Sequence, residues 1–362
     1  MLSLCMIVKN EETQLPSFLE HIHDLVDEII IVDTGSKDKT KEIAIRFPKV
    51  KLFTIHWQQD FSKARNESLK HASGDWILIL DADERISKKD QKKILILVKK
   101  KRYSGFYFTQ RNYRNDPNTR YFITKYKDSY EESQPFLGWT ENHITRLFQR
   151  KPEYFYCYKV HEIIEPSIEA AQGKIGMSGI PIHHYGQVEE KDIERKFKQY
   201  LEINQEKCKE NPYDERAWFE QGINHLKLKE YEKAVDCFEQ VYNLDEAHPL
   251  VCSYLVEVYG KLKDAQGIIS SFQRGVEINP LDVHLYLNIG VIFLINQKYT
   301  EASKAYHQAL NIDKRNIVAW FGLGVSAYHL GEEGKARKAL KNVLKLYPEH
   351  PKAKEILEKM SK

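Results

Sequence analysis

No stretch of this sequence approaches the roughly 18 consecutive apolar residues that a bilayer-crossing helix requires. Its first residues, MLSLCMIVKNEE, lack the apolar core and small-residue cleavage site of a secretory signal. The five cysteines (Cys5, Cys157, Cys208, Cys237, Cys252) form no CxxC pair and are odd in number, which argues against a disulfide framework or a zinc ribbon. They read as small core residues of a reducing compartment, so a cytoplasmic location is expected. Charge of one sign is also scarce. With 55 Lys and Arg against 52 Asp and Glu the net charge is +3, and there is no electrostatic case for a nucleic-acid partner. A Walker-type glycine loop is missing too. What remains is ordinary for folded protein: 362 residues, 42% hydrophobic and 30% charged, enough for two domains with their own cores.

The N-terminal half alternates short apolar runs with helical patterns. Strands are predicted at 2–8, 28–32, 50–55 and 76–80, and helices at 15–22, 40–47 and 61–71. Such βα units predict an α/β domain with a mostly parallel sheet and helices on both faces. Ligands of these sheets bind beyond the carboxyl ends of the strands. The residues there are Lys9-Asn10-Glu11, Asp33-Thr34-Gly35-Ser36 and Asp81-Ala82-Asp83. Two carboxylates one residue apart after a buried strand supply hard oxygen ligands for Mg²⁺ or Mn²⁺ on a diphosphate. Alone, the triplet suits a turn or helix cap equally well.

From about residue 215 the sequence repeats every 34 residues. Trp218, Cys252, Tyr286 and Trp320 share one position; Gly222, Val256, Gly290 and Gly324 follow four residues later. Ala234, Ile268, Ala302 and Ala336 share another, as do Phe238, Phe272, Tyr306 and Leu340. Small residues let two helices approach, aromatics fill the gap, and Pro280 and Pro348 end second helices. This resembles the tetratricopeptide repeat and predicts an all-α solenoid over 212–362. The second repeat is expected to be the most irregular. Residues 189–211 read as a connecting, capping helix, and 351–362 as a second cap. First helices of such units line a concave face. Phe219, Ile223, Leu226, Leu287, Val291, Leu294, Phe321 and Val325 fall there and make it apolar, so something should cover it: another polypeptide, a second copy of the chain, or the N-terminal domain itself.

SLCMIVKNEE, EIIIVDTGSKDKT, DFSKARNESL and GDWILILDADE, taken in order, resemble the motifs of family-two inverting glycosyltransferases over residues 2–85. The resemblance implies a type-A nucleotide-diphosphosugar fold over residues 1–188. It also implies a UDP-sugar donor, with Mn²⁺ or Mg²⁺ as cofactor. On this likeness Val8, Glu11 and Asp33 hold base and ribose, and Arg65 and Asn66 line the donor pocket. Asp81 and Asp83 form the metal-binding pair around Ala82, with Asp83 the direct ligand. The later stretches TRLF (with Arg146, on the donor side), KVHE and HHYG are similar to those of repeat-bearing members that glycosylate polypeptides. They imply Glu162 as base, His161 beside it or simply structural, and His184 rather than His183 completing the metal site. Should Glu162 not be the base, Asp128 and Glu131 of the long polar stretch 110–140, and Glu141 just after it, are next.

The implied reaction is inverting transfer of a hexose or N-acetylhexosamine to a polypeptide Ser, Thr or Cys held by the repeats. Two rivals stand beside it: a lipid-linked or surface-glycan acceptor, and a catalytically dead adaptor. A homodimer remains open.

Overall fold

The computed structural model describes residues 1–186 and 190–361. The expected domain junction at 188–189 lies outside the described residues. By internal contacts the chain forms two units: Met1–Arg114 with Asp128–Gln187, and Asn115–Lys127 with Val188–Lys362. The short segment 115–127 therefore folds with the helical unit.

The first unit begins β1 (Leu2–Val8), α1 (Leu15–Ile22), β2 (Glu28–Asp33), α2 (Thr40–Ala44), β3 (Val50–Thr54), α3 (Phe61–His71) and β4 (Trp76–Ile79). The short β5 (Glu84–Arg85), α4 (Lys88–Leu97) and the long β6 (Gly105–Arg114) follow. After β7 (Ile123–Thr124), which belongs to the other unit, come β8 (Gly138–Gln149), α5 (Glu165–Ala170) and β9 (Ile175–His184). Among these strands the order is β3-β2-β1-β4-β8-β6-β9-β5.

Both faces of the central strands are buried. Leu4, Met6, Ile29, Ile31 and Leu78 pack with α1 on one side, while Cys5, Ile30, Ile77 and Ile79 pack with Tyr154, Tyr156 and Ile168 on the other. That is why EIIIV and WILIL read as unbroken apolar runs. Strands β1 to β4 are parallel, as predicted. The whole sheet is mixed, however: β8 enters antiparallel to both β4 and β6, while β9 returns parallel to β6. Strand β6 runs on through polar Gln110 and Asn112 to Arg114, because both residues still pair with β8 and β9.

The second unit holds α6 (Glu190–Glu210), then four antiparallel pairs: α7 (Glu215–Lys227) with α8 (Tyr231–Leu244), α9 (Val251–Leu262) with α10 (Ala265–Ile278), α11 (Val283–Ile295) with α12 (Tyr299–Ile312), and α13 (Ile317–His329) with α14 (Glu333–Leu346). A last helix, α15 (Pro351–Lys359), follows. None of the described helices is long and apolar enough to cross a membrane.

The repeat pattern has a direct physical origin. A Cβ on Gly222 would meet the Phe238 ring at 2.6 Å, and one on Gly290 the Tyr306 ring at 2.8 Å, so glycine sets the helix spacing. Trp218, Tyr286 and Trp320 each donate to the carbonyl six residues upstream, on Pro212, Pro280 and Lys314, at 2.9, 3.1 and 2.9 Å. The aromatic thereby ties each first helix to the turn before it. Cys252 has no such donor arm. Beside it Gly275 takes up the slack: a Cβ there would lie 2.9 Å from that of Cys252 and 2.6 Å from Leu285. The turn within each pair repeats too, with left-handed backbone at Lys229, Lys263, Gln297 and Gly331. At this turn the second repeat is like its neighbours.

The expected open apolar face is largely closed. Phe219 packs edge-on to Tyr254 at 5.3 Å and against Phe238, and Leu287 is buried in the core around Tyr306. Phe321 rests on His350. Of the eight side chains expected there, Val291 alone is exposed.

Candidate active site

The site lies at the carboxyl ends of β1, β2 and β4, where the parallel strands stop. Val8 and Ala82, at two of these strand ends, are buried. Asp33 ends β2 fully buried, and its Oδ1 accepts from the backbone N–H groups of Gly35 and Ser36, both at 3.0 Å. Its carboxylate thus shapes its own turn, with Gly35 at φ 107°. Glu11 stands after β1, tied by its N–H to Thr40 Oγ1 at 2.7 Å. Burial, together with the carboxylates of Asp83, Asp81 and Asp38, pushes Glu11 up to about 7. Anionic groups crowd this end of the sheet.

Two buried guanidinium groups face that charge. Asp60 caps α3 by accepting from the Lys63 N–H at 3.0 Å, and the helix presents Arg65. Arg65 Nη2 donates to Asp81 Oδ1 at 2.7 Å and its Nε to Glu162 Oε1 at 3.2 Å. Arg146, from β8, donates through Nη2 to Glu84 Oε1 at 2.7 Å and to Asp81 Oδ2 at 3.4 Å. Arg65 Nη1 and Arg146 Nε are buried with no hydrogen-bond partner. Burial alone would push Asp81 up, but the two guanidinium groups prevail and hold it down at about 2. Asp81 is therefore an anionic anchor for both arginines.

Asp83 faces elsewhere. Its Oδ2 lies 3.0 Å from His184 Nε2, and the other nitrogen of that ring, Nδ1, lies 2.6 Å from Asn112 Oδ1. Since Asn112 Oδ1 can only accept, Nδ1 carries the hydrogen and Nε2 is the nitrogen turned to Asp83. Burial opposes charge on His184, yet the adjacent Asp83, with Glu84 and Asp81 nearby, raises its pKa. His183 points to the opposite side of β9, as strand alternation demands. It sits fully buried with Nδ1 2.5 Å from the Tyr113 hydroxyl, and burial lowers it to about 4.

A divalent cation fits Asp83 and His184 in donor type and in space. A Cβ on Gly186 would lie 2.7 Å from His184 Nε2 and 3.0 Å from Asp83 Oδ2, so glycine keeps the gap between them open. Among the described residues, no three His, Cys, Asp or Glu side chains converge as a ready metal cage. Asp81, expected beside Asp83 in the metal site, turns its carboxylate to the arginines.

Other expected residues fall differently. The Asn66 carboxamide makes two bonds to the Tyr156 backbone, at 2.9 and 2.7 Å, and so pins the 151–164 loop. Glu162 reaches the arginine cluster, whereas His161 is exposed with left-handed backbone, φ 52°. Asp128 pairs with Arg111 at 3.0 Å, and Glu141 accepts from the Trp139 indole at 2.8 Å. Two buried residues escaped the sequence reading. Glu84 joins Arg146, Gln110 and the Asp81 N–H, and Asn112 orients His184. Their signal is faint: a carboxylate straight after the Asp pair, and an amide inside a strand.

Residues 3–160 match the family profile described as Glycosyl transferase family 2. The N-terminal domain belongs to glycosyltransferase family 2. Residues 215–361 match a profile described as the CABIN1 N-terminal domain. Among relatives, a TPR repeat-containing protein of Synechococcus elongatus is 35% identical over 170 residues, 47% of this chain and 37% of that protein. The glycosyltransferase SunS of Bacillus subtilis is 26% identical over 241 residues, 66% of this chain and 52% of SunS. An uncharacterized glycosyltransferase of Rickettsia felis is 30% identical over 159 residues, covering 41% of this chain and 48% of the relative. The chain thus spans about a third to a half of these family-two and repeat-bearing relatives. A crystal structure of MamA, at 17% identity, covers 46% of this chain and 99% of its own, with a TM-score of 0.40.

Proposed function

We propose that the protein is a metal-dependent inverting glycosyltransferase that moves a sugar from a UDP-sugar to a polypeptide acceptor. The observation that carries this reading is the pairing of Asp83 and His184 beside the guanidinium groups of Arg65 and Arg146. A diphosphate with its divalent cation suits a site of that make-up. Asp83 Oδ2 and His184 Nε2 would hold Mn²⁺ or Mg²⁺, leaving the remaining coordination positions to donor oxygens and water. When bound, the ion neutralises charge developing on the leaving diphosphate.

The chain's own groups supply the rest. Arg65 and Arg146 are locked by Asp81, Glu84 and Glu162, so their guanidinium groups are already fixed beside the place a diphosphate would take. Glu162 is the base: an acceptor hydroxyl or thiol attacks the anomeric carbon as its proton passes to the carboxylate. The bond from that carbon to the diphosphate oxygen breaks, and the diphosphate leaves with the electron pair. Val8, Glu11 and the Asp33 turn form the side on which base and ribose would sit. SunS and the Rickettsia protein support the transferase reading, and the repeat unit supports a polypeptide acceptor.

The test is a panel of nucleotide sugars offered to the purified protein with Mn²⁺ or Mg²⁺, following release of free UDP and mass shifts on lysate proteins. Donor cleavage that stops in excess chelator is expected. Cleavage undiminished by the chelator would overturn the metal-dependent reading. No cleavage of any donor would favour the adaptor.

A further inference from the structure

Within the helical unit, residues 115–127 lie as a strap of successive turns against the repeat helices, the Phe122 N–H donating to the Thr119 carbonyl at 3.1 Å around Arg120 and Tyr121. Its centre is Arg120-Tyr121-Phe122. Arg120 donates to Ser253 Oγ at 2.8 Å, to the Ser253 carbonyl at 3.2 Å and to Glu257 Oε2 at 2.9 Å, with its guanidinium 3.8 Å from the centre of the Tyr254 ring. The Tyr121 N–H donates to His284 Nε2 at 3.1 Å, and the two rings meet edge to face at 4.4 Å. Burial, then the neighbouring Arg120, pushes His284 down to about 3, so the ring stays neutral and can accept that bond. Phe122 packs into the cluster of Ile317, Leu340 and Val343, and Thr124 Oγ1 donates to the Leu346 carbonyl at 3.2 Å.

Two features mark the strap as an imperfect occupant. Tyr121 holds a left-handed backbone, φ 61°, a costly conformation for an aromatic residue. Beside the strap a cavity of about 350 Å³ is left open, lined by Tyr121, Phe122, Leu287, Val291, Ile317 and Val318. The groove recognises a cation and two rings in sequence but is wider than the strap that fills it.

We infer that this groove is a receptor for a polypeptide segment that presents arginine followed by two aromatic residues in a tight turn. Residues 120–122 occupy it in cis, and a partner segment of that chemistry replaces them in trans. The charge requirement comes from Glu257 and the Tyr254 ring face, the aromatic requirement from His284 and the Ile317 cluster. A partner free of the strain at Tyr121 and able to fill the cavity binds the groove more tightly than the strap does. Cis occupancy also makes the groove selective, since a tethered segment competes at an effective concentration on the order of millimolar. The inference deepens the polypeptide-acceptor reading above. Its test uses no sugar donor, so a failure here leaves the transferase reading standing.

The experiment uses the full chain and a fluorescent 13-residue peptide, NDPNTRYFITKYK, which is the strap itself, followed by anisotropy. Wild type should bind it only near millimolar concentration. A chain with Arg120→Glu and Phe122→Ser, its own strap released, should bind at least about tenfold more tightly. Adding Glu257→Arg to that chain should cost about tenfold or more. A released chain with wild-type circular dichroism that binds the peptide no better than a scrambled one overturns the inference. Should the released chain not fold, hydrogen exchange on wild type decides. The Tyr121 amide should exchange at least about 100-fold faster than the interiors of α9 and α11. Equal protection means the groove does not open and the strap is structural only.

Discussion

Asp81 and Asp83 are separated by one alanine and are each about a third exposed, yet they differ in their partners. Asp81 is gripped by Arg65 and Arg146, while Asp83 faces His184. Asp83→Ala should abolish donor cleavage and change stability by only about 0.5 kcal/mol, as for a substitution away from the core, checked by activity and thermal melts side by side. Asn112→Ala leaves His184 in place without its Nδ1 anchor. We expect a loss of about 10- to 100-fold in metal affinity, read as the Mn²⁺ concentration for half-maximal activity. Glu162→Gln keeps shape and its contact to Arg65 but cannot take a proton, so transfer should fall about 10²-fold or more with donor binding little changed. At this scale the sequence was only partly legible. The carboxylate pair stands out in DAD, and of the two adjacent histidines His184 is the one β9 turns toward Asp83. The bonds of Asp33 to its own turn and of Asn66 to the Tyr156 backbone depend on loop conformation, which periodicity does not encode. Asn112 meets His184 because β6 and β9 pair across a long stretch of chain, a register no local motif announces.

The elements follow from patterns that are local. Four parallel strands, their helices and the helix pairs lie within a few residues of where apolar spacing predicts them. The antiparallel entry of β8 was less visible, since pairing partners are chosen by tertiary packing. One tie between elements is open to test by pH. Glu28, on β2, accepts from Ser3 on β1, from Ser73 before β4 and from Lys51 on β3. Burial pushes its carboxyl up, but these bonds outweigh burial and bring it down to about 2. A depressed carboxylate stabilises the fold above its unfolded value, near 4.3, and that stability is lost as pH falls toward 2. Glu28→Gln should therefore weaken the first unit at pH 7 and flatten its acid limb, measured by urea midpoints at pH 7 and pH 3. Among the helices, a Cβ on Gly322 would come within 2.3 Å of the Tyr306 ring. Gly322→Ala should destabilise the array by about 1–3 kcal/mol through overpacking, visible in its thermal midpoint.

At the scale of the whole molecule, the strap is threaded into the sequence long before its receptor. Arg120 precedes Ser253 by 133 positions and Thr124 precedes Leu346 by 222. At about 5–20 residues per second of synthesis, roughly 11 to 44 seconds separate the making of Thr124 from that of Leu346. Throughout that interval the basic and aromatic side chains of residues 120–122 are on a nascent chain whose groove is incomplete. The order of manufacture thus makes a companion for this stretch useful early, and makes completion of α14 the moment at which the strap can first seat in full.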